Sequence, residues 1–237
     1  MPNEAPFFVA GATGYVGRAV VAAAGRRAVA HVRPDSRALA RWRAEFGALG
    51  ALVDATPWDE DAMAATLARV RPAAVFALLG TTRKRGATTG DTYESVDYGL
   101  TALLYRAAAR AAAGGGPPPR FVYLSALGAD AGSRNAYLAV RGRFEAELRA
   151  GPLPWTVVRP SFITGPDRGE SRPAERAGAA ATDVLAGVVG ALGARRFADR
   201  YRSITGAALA RELIRLADDP GAAGRVLEAD ALRGGRG

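Results

Sequence analysis

The stretch Phe7-Phe8-Val9-Ala10-Gly11-Ala12-Thr13-Gly14-Tyr15-Val16-Gly17-Arg18 is an apolar run, a glycine-punctuated turn and the start of a helix that continues through Ala19-Val20-Val21. A strand, a tight turn and a helix in that order predict a βαβ unit whose turn receives a dinucleotide. Gly11 permits the turn out of the strand. Gly14 keeps a Cβ out of the path of a pyrophosphate, and Gly17 lets the helix lie close on the sheet. The phosphates would sit on the unpaired N–H groups of the helix N-terminus, where the macrodipole favours an anion. The spacing is GxxGxxG rather than GxGxxG, and such glycines can also pack a helix on a sheet with no ligand. The strand before and the helix after weigh for the dinucleotide. The turn offers Gly11, Thr13, Gly14, Tyr15, Val16 and Gly17 as cofactor-binding candidates.

Outward from this segment, apolar runs alternate with helical patterns, as a parallel α/β sheet requires. Strands are expected at about 7–10, 28–32, 51–53 (closing at Asp54), 74–79, 121–124 and 156–158, with 225–228 a candidate for the last. Helices are expected at about 16–24, 36–46 with Ser36 as N-cap, 59–70, 94–112, 135–149, 183–192 and 207–217. The stretch 165–181 reads as a polar surface loop and 233–237 as a disordered tail. The predicted fold is a doubly wound Rossmann domain with strand order 3-2-1-4-5-6 and room for a seventh strand. Helices should cover both faces, and a small substrate-side region should span about 161–232.

The chain has 237 residues, 49% of them hydrophobic, enough for one domain with a sizeable core. No apolar stretch approaches ~18 uninterrupted residues, so no membrane span is expected. Met1-Pro2-Asn3-Glu4-Ala5-Pro6 lacks a basic n-region, so no signal peptide is expected and the cytoplasm is the default compartment. The absence of cysteine excludes disulfides and thiolate chemistry, and a lone His31 argues against a histidine metal site. The net charge of +9 would suit nucleic acid. However, Lys84 is the single lysine among 32 basic residues, the arginines are scattered, and no nucleic-acid motif is present. The Ala, Gly and Arg skew reads instead as the coding bias of a GC-rich bacterial genome.

The end of strand 2 faces the adenosine ribose in this architecture, where an acid selects NAD and an arginine selects NADP. Arg33 stands there, with Arg37 near and Arg18 on the first helix as a further guanidinium. NADP is therefore the expected cofactor, with NAD the lesser candidate. Asp54, closing strand 3, either contacts the adenine or caps its own turn. Leu79 ends strand 4 and Gly80, Thr81 and Thr82 come after it, while Pro160, Ser161 and Phe162 follow strand 6; both ends border the expected nicotinamide position. The Arg83-Lys84-Arg85 cluster reads as a solvated loop.

Ser125 ends strand 5, and Tyr137 and Arg141 share one helix face at i and i+4. Carbonyl reduction needs a proton donor and a hydrogen-bond partner for the oxygen, which a tyrosine near a cation and a serine can supply. Each of the three also has an ordinary structural reading when taken alone. Together with Leu79-Gly80-Thr81-Thr82-Arg83, Val96-Asp97-Tyr98, Leu124-Ser125-Ala126-Leu127-Gly128-Ala129-Asp130, Tyr137-Leu138-Ala139-Val140-Arg141-Gly142 and Arg159-Pro160, the chain resembles the short-chain dehydrogenase/reductase superfamily. It is most similar to the atypical NAD(P)-binding branch, closest to the Tat-interacting-protein group of oxidoreductases and more distantly to NmrA-like proteins.

The resemblance implies an NADP-dependent oxidoreductase acting on a small carbonyl or alcohol substrate. It casts Tyr137 as acid/base, Ser125 as carbonyl partner and Arg141 as ribose and electrostatic partner. The superfamily pattern is Tyr-x-x-x-Lys, and arginine keeps the lysine's charge but not its geometry. Asp97 takes the place of the superfamily's helix-4 asparagine. These departures motivate an alternative, a non-catalytic NADP-binding protein that reports redox state. A monomer or a homodimer is expected, without membrane or nucleic-acid partners.

Overall fold

The computed structural model describes residues 5–81, 90–161, 163–164, 203–229 and 231–233. Seven strands form one parallel sheet: β1 (Phe7–Ala10), β2 (Ala28–His31), β3 (Leu52–Asp54), β4 (Ala74–Ala77), β5 (Arg120–Leu124), β6 (Trp155–Arg159) and, last in the chain, β9 (Arg225–Glu228). Their order is β3-β2-β1-β4-β5-β6-β9, the predicted Rossmann order with the seventh strand on the far edge. Two short strands, β7 (Ile163–Thr164) and β8 (Ile204–Thr205), pair in parallel apart from this sheet.

The alternation of side chains along buried strands divides the core into two layers. Phe7 and Val9 face α1 (Tyr15–Ala24), α2 (Leu39–Ala48) and α6 (Gly206–Asp218). Phe8 and Ala10 face α3 (Glu60–Val70), α4 (Thr101–Ala113) and α5 (Ala136–Ala150). β1 pairs with β2 on one side and β4 on the other, so the strand order reverses beside it. At that reversal the chain leaves β1 toward α1 on one face and β4 toward α4 on the other, the arrangement at which doubly wound sheets bind ligands.

Four elements differ from expectation, α2, the helix expected at 94–112, β2 and β4. α2 begins at Leu39 rather than near Ser36, because the Ser36 N–H bonds to the Arg33 carbonyl and the Leu39 N–H to the Ser36 carbonyl, forming turns instead of a cap. The expected helix at 94–112 is two elements: a π-helical segment, Tyr93–Leu100, capped by reciprocal Thr92–Ser95 bonds, runs into α4. β2 and β4 stop earlier than their apolar runs. Among the described residues, no helix is long and apolar enough to cross a membrane. Thr82, the Arg83-Lys84-Arg85 cluster, Phe162, the 165–181 loop, the 183–192 helix and residues 234–237 lie outside the described residues.

Candidate functional site

The glycine turn separates into two packing glycines and one open one. Gly11 has φ +82°, and a Cβ there would lie 2.5 Å from the Leu78 carbonyl oxygen, so the loops leaving β1 and β4 touch through it. A Cβ on Gly17 would fall on the Gly11 carbonyl. Both glycines are required by the protein's own packing. Gly14 is different: its φ of −74° suits any residue, and its Cβ would meet only the Gly11 oxygen, at 3.2 Å. Gly14 and Thr13 are exposed, and Gly14 is the N-cap of α1.

No side chain caps that N-terminus, and no acid stands in its first turn. The α1 N-terminus is therefore uncapped by side chains and preceded by exposed residues, with the positive end of the dipole behind it, which fits an external phosphate. Of the flanking candidates, Val16 is buried in the core. Tyr15 donates its hydroxyl to the Thr164 carbonyl at 3.0 Å and packs its ring on Gly206. Both can offer a ligand only backbone.

Beside the Gly11 turn, Leu79, Gly80 and Thr81 leave β4 over a buried ion pair. Arg141, on α5, donates Nη2 to Asp97 Oδ1 at 2.6 Å and to the Leu79 carbonyl at 3.0 Å. Its Nη1 donates to the Leu124 carbonyl at 2.6 Å and to the Tyr123 hydroxyl at 3.3 Å. Asp97, fully buried on the π segment, accepts the Thr81 N–H on its other oxygen at 2.9 Å. Burial pushes the Asp97 carboxyl up, against the pull of Arg141 and of the Thr81 N–H. Burial works against the Arg141 charge, but Tyr137, Tyr123 and Asp97 raise its pKa overall. Burial pushes the Tyr123 phenol up to about 12, so it stays neutral. The Tyr137 ring lies 5.1 Å from the Arg141 guanidinium carbon and 5.3 Å from the Tyr93 ring.

The structure thus brings Tyr137 and Arg141 together beside Leu79–Thr81 but arranges the other expected contacts differently. Arg141 is directed inward, its bonds spent on the exits of β4 and β5, where the family lysine reaches for ribose. Ser125 is 4% exposed and donates its hydroxyl to Glu145 Oε1 at 2.6 Å. Glu145 also accepts from Arg159 Nε and Nη2, at 2.9 and 2.7 Å, and from Arg149 at 2.7 Å. With its proton held there, Ser125 is not poised to polarise a carbonyl. Pro160, just beyond Arg159, is buried and accepts the Leu127 N–H.

The sequence reading did not anticipate Glu145 as a partner for Ser125. Its signal was present, since Tyr137, Arg141 and Glu145 recur every four residues on one helix face.

At the adenosine end, Arg33 and Arg37 are exposed beyond β2, with Arg33 Nε 4.0 Å from the exposed Asp35. Asp54 accepts from the Thr56 N–H at 3.0 Å and from its hydroxyl at 2.9 Å, the turn-capping one of its two readings. His31, buried behind it, donates Nε2–H to the Thr56 carbonyl at 2.8 Å. Burial lowers the His31 pKa, with that bond and Asp54 opposing.

A parallel sheet in Rossmann order with an uncapped glycine turn at the strand reversal defines a dinucleotide-binding protein. The sequence pattern of the NAD(P)H-binding family matches residues 11–188, and the chain belongs to that family. Curated relatives include Protein FMP52-1, mitochondrial, from Scheffersomyces stipitis, 33% identical over 39% of this chain and 38% of its own length. Another is Protein fmp52, mitochondrial, from Aspergillus fumigatus, 33% identical over 50% of this chain and 47% of its own. The matches thus span less than half the length of these relatives. They are fungal proteins with mitochondrial names, which runs against the bacterial origin expected from composition.

Among solved structures, a Bacillus halodurans chain named for an NAD-dependent epimerase/dehydratase has the same fold, with TM-score 0.65, 21% identity, and 95% and 94% of the two chains covered. A nucleoside-diphosphate-sugar epimerase from Staphylococcus aureus matches at TM-score 0.58 and 14% identity, over 94% of this chain and 71% of its own.

Proposed function

We propose that the protein is an NADP-dependent oxidoreductase of the atypical short-chain dehydrogenase/reductase type, interconverting a small carbonyl and its alcohol. The observation that carries this reading is the uncapped N-terminus of α1, with Gly14 open to solvent while Gly11 and Gly17 are consumed by packing. The bound nicotinamide supplies or accepts the hydride. Residues Gly11, Thr13 and Gly14 with the backbone of Tyr15, Val16 and Gly17 hold the phosphates. Arg33 and Arg37 face the 2′-phosphate, while Leu79, Gly80, Thr81 and Pro160 border the nicotinamide half. Tyr137, with the Arg141 guanidinium carbon 5.1 Å from its ring, gives or takes the proton at the substrate oxygen. Ser125 serves as scaffold through Glu145.

Tyr137→Phe tests this assignment. The variant should bind NADPH as the parent does and lose NADPH oxidation across a panel of aldehydes and ketones; persisting turnover overturns the role. The inward-turned Ser125 and Arg141 favour a second reading, a non-catalytic NADP-binding protein that reports redox state to a partner. Firm NADPH binding with no turnover on the whole panel selects it.

A further inference from the structure

A fully buried carboxylate is costly unless its oxygens are paired, and Asp97 divides its two oxygens between different elements. One accepts from Arg141, the other from the Thr81 N–H. Arg141 in turn grips the Leu79 and Leu124 carbonyls. One acid therefore ties the exit of β4 to the exit of β5 through α5. It also fixes the β4 exit against the Gly11 turn, because the Leu78 carbonyl packs on Gly11. Gly80 completes the clamp: a Cβ there would lie 2.9 Å from Arg141 Nη2 and 3.4 Å from Asp97 Oδ1.

Within this network two buried polar atoms are left over, Arg141 Nε and the Thr81 hydroxyl, and only the hydroxyl can both donate and accept. The Thr81 hydroxyl is buried and makes no hydrogen bond, although its own N–H is held by Asp97. The segment that supplies Asp97 is π-helical, a conformation concentrated at functional sites, and it also places Tyr93 on Tyr137.

We infer that Asp97 is a positioning residue for the bound dinucleotide: by holding Arg141 and the Thr81 N–H together, it presents the Thr81 hydroxyl to a hydrogen-bonding group of the ligand. The inference rests on the dinucleotide reading of the site. It makes Asp97 act on the ligand through Thr81 and gives Arg141 a place in the clamp.

The test is a double-mutant cycle of Asp97→Asn and Thr81→Ala, read as NADPH dissociation constants by calorimetry, with hydrogen exchange at the Thr81 amide of the ligand-free protein. Each single variant should weaken NADPH about tenfold, and the double variant little more than either alone. Asp97→Asn should also speed exchange at the Thr81 amide. Losses that multiply to about a hundredfold, or an Asp97→Asn protein that melts earlier but binds NADPH unchanged, overturn the inference. If Asp97→Asn does not fold, Gly80→Ala displaces Arg141 from outside and is combined with Thr81→Ala in the same cycle. The same non-additivity supports the clamp, and additive losses overturn it. A parent protein that binds neither NADPH nor NADH overturns the dinucleotide reading itself, and this inference with it.

Discussion

Gly14→Ala separates a glycine kept for the fold from one kept for a ligand. The backbone at Gly14, φ −74° and ψ 169°, is open to alanine, and the added Cβ meets a single oxygen at 3.2 Å. Alanine is a poorer N-cap than glycine by roughly 0.5–1 kcal/mol. For a chain of this size that lowers the melting temperature by about 1–4 °C. The ligand side is more sensitive. A methyl group at the phosphate position displaces the pyrophosphate from one or two N–H groups, each worth about 1.5–3 kcal/mol to a charged acceptor. A loss of roughly 3 kcal/mol weakens NADPH about a hundredfold. Calorimetric titration and thermal melting on the same preparation read both numbers. Gly17→Ala is the control: its Cβ falls on the Gly11 carbonyl, so it should lose stability whether or not NADPH is present. A Gly14→Ala protein that melts like the parent and binds NADPH with unchanged affinity would refute the reasoning, leaving Gly14 as a helix start and nothing more.

Arg33→Ala should weaken NADPH about tenfold and leave NADH unchanged, as expected for loss of one guanidinium–phosphate contact; equal effects on the two cofactors contradict the assignment. Glu145→Gln should lower the melting temperature by about 6–12 °C, because it strips charge from a buried partner of Arg159 and Arg149 at about 3 kcal/mol. A change under about 2 °C contradicts that weight. Because the folded chain lowers the His31 pKa, the unfolded chain binds the proton more readily. Stability is therefore full above about pH 6.5 and falls as pH drops below it. His31→Gln should flatten urea midpoints measured between about pH 5 and 6.5, and a slope that survives substitution assigns it elsewhere.

What the sequence disclosed and what it withheld divide along physical lines. Strands such as Phe7–Ala10 and Phe121–Leu124 are buried on both faces, so they stand out as apolar runs between helices, and their alternation determines a right-handed parallel sheet. The last strand was legible because Arg225–Glu228 carries the same apolar centre. The π segment was not, since its apolar spacing over eight residues is close to that of an α-helix and only the hydrogen bonds distinguish them. The β7–β8 pair was also hidden, because two-residue strands joined across about forty residues of chain leave no periodic trace.

At the site, residue types and local spacing identified the glycine turn, Tyr137 and Arg141. Direction did not follow from them. Whether Arg141 reaches outward or inward depends on Asp97, 44 residues earlier, and the orientation of Ser125 depends on Glu145, 20 residues later. Pairings of that kind are set by tertiary packing.

The most direct measurement is a pair of calorimetric titrations of the purified protein, one with NADPH and one with NADH. NADPH binding, tighter than NADH, is the predicted result, and it would join the open glycine turn to the arginines beyond β2 in one cofactor site. Binding of neither would contradict the account, making the turn a packing device and removing the basis for a catalytic Tyr137.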